Sequence, residues 1–225
     1  MTKVKGIYQR KDGRWEARYK KGIDENGKTL YGAVYGKSSE EVEEKRRQLV
    51  GDETEQRVPT ELNLLILGAG SHGRDVMEIA ESLRIFNKIR FLDDHVQGEY
   101  IIGKCKDAMK FRGEYPCAFI AIGDNEKRRK YAKFLKERNF LIPKLISPFA
   151  IVSPNADIGE GTVIHPQGTV GEAKIGKHCI IASNSTISSE VVMGDYSRAD
   201  SGSIVPKGAK VPEGTLLEIG EIFGM

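Results

Sequence analysis

Three glycines, Gly68, Gly70 and Gly73, lie in the run GAGSHGR, between a continuous apolar stretch, LNLLILGAG, and an amphipathic one, RDVMEIAESLRI. Residues without a β-carbon let backbone amides close on an anion, and the start of a helix adds its positive end, so this spacing suits phosphate. The same spacing also makes a plain strand-to-helix turn, and the pattern alone does not separate the two. Ser71 and His72 stand among the glycines. His72 either touches a phosphate or sugar or caps the turn from the surface. Asp93 and Asp94 follow about twenty residues later, at the end of IRFLDD. A carboxylate there accepts from a ribose hydroxyl or a base N–H, or else makes an ordinary polar turn.

These groups need a scaffold. LNLLIL and CAFIAIG are unbroken apolar runs, as expected of strands buried on both faces of a parallel sheet. Val76, Ile79, Ala80 and Leu83 share one helical face, and Tyr131, Phe134 and Leu135 give the charged run DNEKRRKYAKFLKERN an apolar side. The expectation is a Rossmann-like α/β half-domain over residues 58–145, preceded by the polar linker GDETEQRVPTE.

From residue 146 onward apolar side chains recur every six residues. Ile146, Val152, Ile158, Ile164 and Val170 form one series; after a five-residue step come Ile175, Ile181, Ile187, Met193, Ala199, Val205, Val211 and Leu217. Three hexads make one triangular coil, so residues 146–225 are expected to form about four coils of a left-handed parallel β-helix. Glycine often follows the apolar position, at Gly159, Gly171, Gly176 and Gly194, where a tight corner favours it. His165 and His178 are expected as surface residues of the rungs.

Residues 1–57 read differently. GIYQR, WEARYKK and LYGAVYG are strand-like and separated by the turn signals KDGR and DENGK. KSSEEVEEKRRQLV opens with Ser38 or Ser39 as N-cap, carries its acids early and its bases late, and makes a helix. The fold class is therefore mixed: a small three-stranded sheet plus helix, then the α/β half-domain, then the β-helix. Lys3, Lys5, Arg10, Lys11, Arg14, Arg18, Lys20, Lys21, Lys28 and Lys37 face only Asp12, Glu16, Asp24 and Glu25, although the whole chain has a formal charge of only +3. Cys105, Cys117 and Cys179 lack the pairing of a disulfide framework or a zinc site and are expected to be reduced core thiols, with no metal site. No apolar run approaches the roughly 18 residues that span a bilayer, and no signal peptide opens the chain, so a cytoplasmic protein without membrane contact is expected.

The succession ILGAGSHGRDV, FLDD, AIGDNEKRRK, LISPFAIVSPNADIGEGTVI and VVMGDYSRADSGSIV resembles the trimeric bacterial sugar acetyltransferases, which include sialic acid O-acetyltransferases and UDP-amino-sugar N-acetyltransferases. The resemblance covers roughly residues 62–217. It implies an acetyl-CoA-dependent transfer to a nucleotide-linked sugar, UDP-linked by preference, in surface-glycan biosynthesis by a homotrimer. It places Gly68, Gly70, Ser71, His72, Gly73, Asp93, Asp94, Gly123 and Asn125 at the nucleotide sugar. The family's general-base histidine falls on Ser189 here, within Ser188-Ser189-Glu190; a second family histidine falls on Arg198 and a third on Ser147. Proton removal then rests on Ser189 and Glu190, and a carboxylate serves near neutrality only if burial raises its pKa. The resemblance also implies a shortened β-helix wall for CoA, since the family continues for further coils beyond PKGAKVPEGTLLEIGEIFGM.

The first fifty residues resemble the arm-type DNA-binding domain of tyrosine recombinases. That implies a sheet in the major groove of duplex DNA, with Arg14 and Arg18 on phosphates and Trp15 and Tyr19 on sugar and base edges. The alternative is a solvated sheet whose aromatics pack on its own helix. Two functional classes follow: an acetyltransferase with an unusual base, or a DNA-binding regulator that keeps nucleotide-sugar sensing without catalysis.

Overall fold

The computed structural model describes residues 6–23, 29–50 and 62–225. Lys3, Lys5, Lys28, Asp24, Glu25, the DENGK turn and the proposed linker at 51–61 lie outside them. The chain divides into two compact units, Met1–Val58 and Pro59–Met225.

In the first unit β1 (Ile7–Gln9), β2 (Trp15–Ile23) and β3 (Thr29–Gly36) form an antiparallel meander, followed by α1 (Ser39–Val50). Period-two alternation places Trp15, Ala17 and Tyr19 on one face of β2 and Glu16 and Arg18 on the other. Trp15 pairs with Gly36, where an added β-carbon would come within 2.9 Å of Val42 on α1. The Trp15 face is thus the helix face, and Ala17 and Val42 are fully buried there.

The second unit opens with a four-stranded parallel sheet in the order β6-β5-β4-β7, from β4 (Asn63–Leu67), β5 (Lys88–Leu92), β6 (Ile101–Gly103) and β7 (Cys117–Ile120). Every residue of β4 and β7 is buried, as their unbroken apolar runs require. Helices α2 (Ser71–Ser82), α3 (Ala108–Phe111) and α4 (Asn125–Glu137) connect or flank the strands. The sequence reading did not separate the short β6 and α3, because neither carries a periodic signal of useful length.

A left-handed parallel β-helix follows. One face stacks Leu145–Ile146, Val163–Ile164, Ile180–Ile181, Arg198–Ala199 and Leu216–Leu217. A second stacks Ile151–Val152, Thr169–Val170, Thr186–Ile187 and Ile204–Val205, and a third Asp157–Ile158, Lys174–Ile175, Val192–Met193 and Lys210–Val211. The second residue of each pair points inward, and Ile164, Ile181, Ile187, Ala199, Val205 and Leu217 are fully buried. Burying each large aliphatic side chain is worth roughly 1.5–3 kcal/mol, so the column is the main source of this part's stability.

The glycines after the apolar positions have a different reason from the corner predicted. An added β-carbon at Gly159 would sit 2.5 Å from the backbone of Gly176, and one at Gly194 2.4 Å from that of Glu213. They are small because successive coils touch there. The left-handed turn residues lie two positions further on, at Gly161 (φ 71°), His178 (φ 55°) and Tyr196 (φ 60°).

On the first face the outward residues Leu145, Val163 and Ile180 are buried in the same cluster as Leu64, Ile66, Val76 and Ile79. The α/β part therefore docks on that face, and the two parts share a core across residue 145.

Candidate functional site

The glycine turn is built as close packing demands. Gly68 has φ 103°, and a β-carbon there would be 2.7 Å from the Ala121 carbonyl oxygen. At Gly73 the added carbon would be 2.1 Å from the Gly68 carbonyl oxygen, so only glycine lets α2 start against the strand it leaves. Gly70 is the N-cap of α2 with extended backbone and no side-chain cap. The first-turn amides of α2, at Ser71, His72 and Gly73, have no carbonyl one turn upstream to receive them. They open at the C-terminal ends of β4 and β7, the place where parallel α/β sheets take ligands.

Asp93 secures this turn. Its Oδ2 accepts from Ala69 N at 2.7 Å, and its Oδ1 accepts from His95 N and Val96 N at 2.8 Å each. Burial alone would raise its pKa, but these amides outweigh burial and hold the carboxyl below its ordinary value. Asp94 accepts from Cys105 N at 3.1 Å and from the Tyr131 hydroxyl at 3.2 Å, and it is exposed.

Gly123 and Asn125 lie on the far side of the same opening, where one residue missing from the sequence reading holds them. Arg128 is 1% exposed. Its guanidinium donates to the carbonyls of Ile122 and Gly123, to Asn125 Oδ1, and to the carbonyls of His178 and Tyr196 on two β-helix coils, all within 2.6–3.0 Å. Asn125 Nδ2 in turn donates to the Gly214 carbonyl at 2.8 Å, so its amide ties α4 to the β-helix while its Oδ1 holds Arg128 within the helix. Burial pulls the Arg128 pKa down to about 10, which leaves it charged at neutral pH. In sequence Arg128 looked like one more cation of a charged helix; only its place on the Ala132 and Leu135 face hinted at burial.

His165 and His178 are not surface rung residues: they are 7% and 4% exposed. Both sit at corners where the α/β part covers the β-helix, a docking that hexad counting does not predict. The His178 ring stacks on Tyr196 at 5.3 Å. The His165 ring stacks on His72 at 5.5 Å, with 19° between their planes. Arg198 lies beside them, with a guanidinium nitrogen 3.4 Å from where a Gly123 β-carbon would be, and pairs with Asp200 at 2.7 Å. Burial, then the neighbouring His165 and Arg198, push the His72 pKa down to about 3, so the imidazole is neutral at physiological pH.

Ser189 and Glu190 stand elsewhere. They lie at the corner between the second and third faces, opposite the face that carries the α/β part. Ser189 is half-buried above Gly171. Glu190 has a side chain 67% exposed and pairs with Lys207 at 3.0 Å. Within one chain, then, these two residues do not meet the glycine turn, and the burial a carboxyl base needs is missing. Among the described residues no group of three histidine, cysteine or carboxylate side chains is placed to hold a metal ion.

In the first unit the residues read as a DNA surface are divided. Arg14 pairs with Asp12 at 2.7 Å and Arg18 with Glu16 at 3.0 Å. Arg10 and Tyr8 also donate to Glu16, which sits 3% exposed at the centre of this network. The hydrogen bond from Tyr8, followed by that from Arg18, draws the Glu16 carboxyl down to about 2. Trp15 and Tyr19 are on the opposite, helix-facing side, as aromatics packed on their own helix would be.

Comparison with known proteins places this geometry. The PglD N-terminal domain family matches residues 63–135. UDP-N-acetylbacillosamine N-acetyltransferase of Bacillus subtilis (strain 168) is 34% identical over 109 residues, 45% of this chain and 50% of that protein. The chain thus spans about half the length of this curated relative. Among solved structures, the acetyltransferase domain of PglB from Neisseria gonorrhoeae FA1090, in complex with acetyl coenzyme A, superposes with a TM-score of 0.61 at 27% identity, over 73% of this chain and 95% of that one. PerB from Caulobacter crescentus, in complex with CoA and GDP-perosamine, gives 0.61 at 23% identity, over 71% and 87%, and shows the fold alone. The α/β and β-helix parts are therefore similar to those of sugar acetyltransferases.

Proposed function

We propose that the chain binds a nucleotide-linked sugar, UDP-linked by preference, and transfers to it the acetyl group of acetyl-CoA, in surface-glycan biosynthesis. One observation carries this reading: the free amides at the start of α2 open beside the stacked imidazoles of His72 and His165, at the ends of two parallel strands. The pyrophosphate lies on the amides of Ser71, His72 and Gly73, which need an acceptor and favour negative charge. Asp94 receives the ribose or base. Asp93 acts behind it by fixing the Ala69 amide. Acetyl-CoA is a second substrate and supplies a thioester carbonyl; the sugar's amino or hydroxyl group attacks it, the C–S bond breaks, and the thiol leaves with the displaced proton.

The proton acceptor comes from a second copy. Ser189 and Glu190 point away from their own chain's glycine turn, so catalysis requires their corner to approach a neighbour's turn. Ile151 (68% exposed), Val192 (46%) and Ile204 (39%) leave outward apolar side chains on the two faces that do not carry the α/β part. Packing three prisms side by side covers them and brings the corners inward, which favours a homotrimer. Glu190 accepts the proton once the neighbour displaces water from it.

The test combines solution mass with turnover. A trimer that releases free thiol from acetyl-CoA only when a UDP-amino sugar is present, and loses this on Glu190→Gln, is the expected result. A monomer at micromolar concentration with no thiol release on any nucleotide sugar refutes the proposal.

A further inference from the structure

We propose that His165 and Arg198 complete the ligand site: together with His72 they hold one oxyanion of the bound molecule, a phosphoryl oxygen or a sugar carboxylate. Among the described residues six buried side-chain polar atoms lack a hydrogen-bond partner, and three of them, His72 Nε2, His165 Nε2 and Arg198 Nε, belong to this one cluster. Each unmet buried group costs on the order of 1–3 kcal/mol, so three at one place call for a role beyond packing. The coil backbone bonds beside them are made without these atoms: His165 N donates to the Ile181 carbonyl, and Ala182 N to that of Ala199.

The chemistry of the three atoms selects the ligand group. Arg198 Nε–H can only donate, and a neutral imidazole donates from Nε2 in one of its tautomers. A hydroxyl cannot take three donors at one oxygen, whereas an oxyanion can, and charge-assisted hydrogen bonds are the stronger ones. Charged groups flank both imidazoles. Arg198 and Arg128 disfavour a charge on His72; for His165, Arg198 disfavours it, and Asp75 and Asp200 favour it. Burial leads in both cases and lowers both pKa values, so an arriving anion meets neutral rings and one guanidinium already shared with Asp200. The anion then stabilises the protonated rings and raises the pH at which they titrate. Gly70 and Ser71 are exposed at the edge of the cluster, which places the proposed oxyanion next to the first-turn amides of α2.

The inference rests on the nucleotide-sugar reading for its first probes and on the cluster itself for its second. Calorimetric titration of the full chain uses UDP, UDP-glucose and UDP-glucuronate against His165→Leu, His165→Gln and Arg198→Lys, each checked for an unchanged melting profile. His165→Leu and Arg198→Lys are expected to weaken binding at least tenfold, and His165→Gln, which keeps a side-chain N–H, less than threefold. Equal losses for all three nucleotides identify a phosphoryl oxygen; a loss confined to UDP-glucuronate identifies the carboxylate. Binding that stays within twofold in both His165→Leu and Arg198→Lys overturns the inference while leaving the nucleotide reading intact. If the unaltered chain binds none of the nucleotides, that reading fails, and imidazole NMR with inorganic pyrophosphate and glucuronate decides the cluster. A rise in the titration points of His72 and His165 supports it, and unmoved imidazole signals with both anions overturn it.

Discussion

Replacing Arg128 by methionine fills most of its volume and removes every donor. Five acceptors then lose their partner at once: the carbonyls of Ile122, Gly123, His178 and Tyr196, and Asn125 Oδ1. At roughly 1–3 kcal/mol for each unsatisfied buried acceptor, the upper range exceeds what a domain survives. Water entering at the Gly123 edge recovers part of this, because Gly123 and Asn125 are near the surface. A net loss of about 3–5 kcal/mol remains, at or just below the lower end of the range that five unsatisfied acceptors set. For a unit of this size that lowers the melting temperature by roughly 6–20 °C, since 1 kcal/mol moves it by about 2–4 °C. Calorimetry on the purified chain measures the shift. Arg128→Lys, which reaches one or two of the five acceptors, is expected to fall between methionine and the parent. A methionine variant within about 1 kcal/mol of the parent would show that the carbonyls find solvent easily, and that Arg128 does not hold α4 to the β-helix.

Three further outcomes follow from the geometry. Gly73→Ala places a carbon 2.1 Å from a backbone oxygen and is expected to destabilise the second unit by about 1–3 kcal/mol and abolish nucleotide-dependent stabilisation in thermal melts, whereas Gly113→Ala, with open space around it, leaves both unchanged. His72 and His178 titrate near 3 and 4 when folded, against 6.5 in the unfolded chain, so protons bind the unfolded state first and stability falls as pH drops below about 6.5; each group contributes at most about 1.4 kcal/mol per pH unit, and denaturant titrations of His178→Gln should show the smaller slope. Glu16 titrates near 2 when folded against 4.5 unfolded, so its contribution is present above pH 4.5 and is lost as pH falls toward 2; fluorescence of Trp15, the single tryptophan, should report an acid transition that Glu16→Gln flattens.

Much of this was legible in the residues. The hexads at Ile146 to Leu217 gave every inward position of the β-helix, including Ala199, whose small side chain is fully buried in its place. The unbroken runs at β4 and β7 announced a parallel sheet, and Gly68, Gly70 and Gly73 fall at the turn their spacing required. What stayed hidden depends on docking between parts. Leu145, Val163 and Ile180 each stand one residue before an inward position, and nothing local says that one face of a prism will carry a second sheet. Once it does, His165 and His178 become buried and Arg128 becomes a tie between helix and coils. Asp93 illustrates a second limit: a carboxylate at a strand end serves backbone amides as readily as a ribose, and only the geometry at Ala69, His95 and Val96 distinguishes them. In the first unit the basic residues were counted without their faces, so Trp15 and Tyr19 were grouped with Arg14 and Arg18, although strand alternation sets Trp15 and Tyr19 opposite Arg18.

Nucleotide-sugar acetyl transfer is tested most directly by placing a histidine at Ser189, the position on which the resemblance puts the family's general base. Thiol release from acetyl-CoA is followed with UDP-amino sugars for the parent chain and for Ser189→His, at equal protein concentration and neutral pH. A positioned general base is worth roughly 100- to 10,000-fold, so the parent should turn over slowly and the variant at least tenfold faster, in both cases only with the nucleotide sugar present. No nucleotide-sugar-dependent release from either protein, with both folded and assembled, would contradict it.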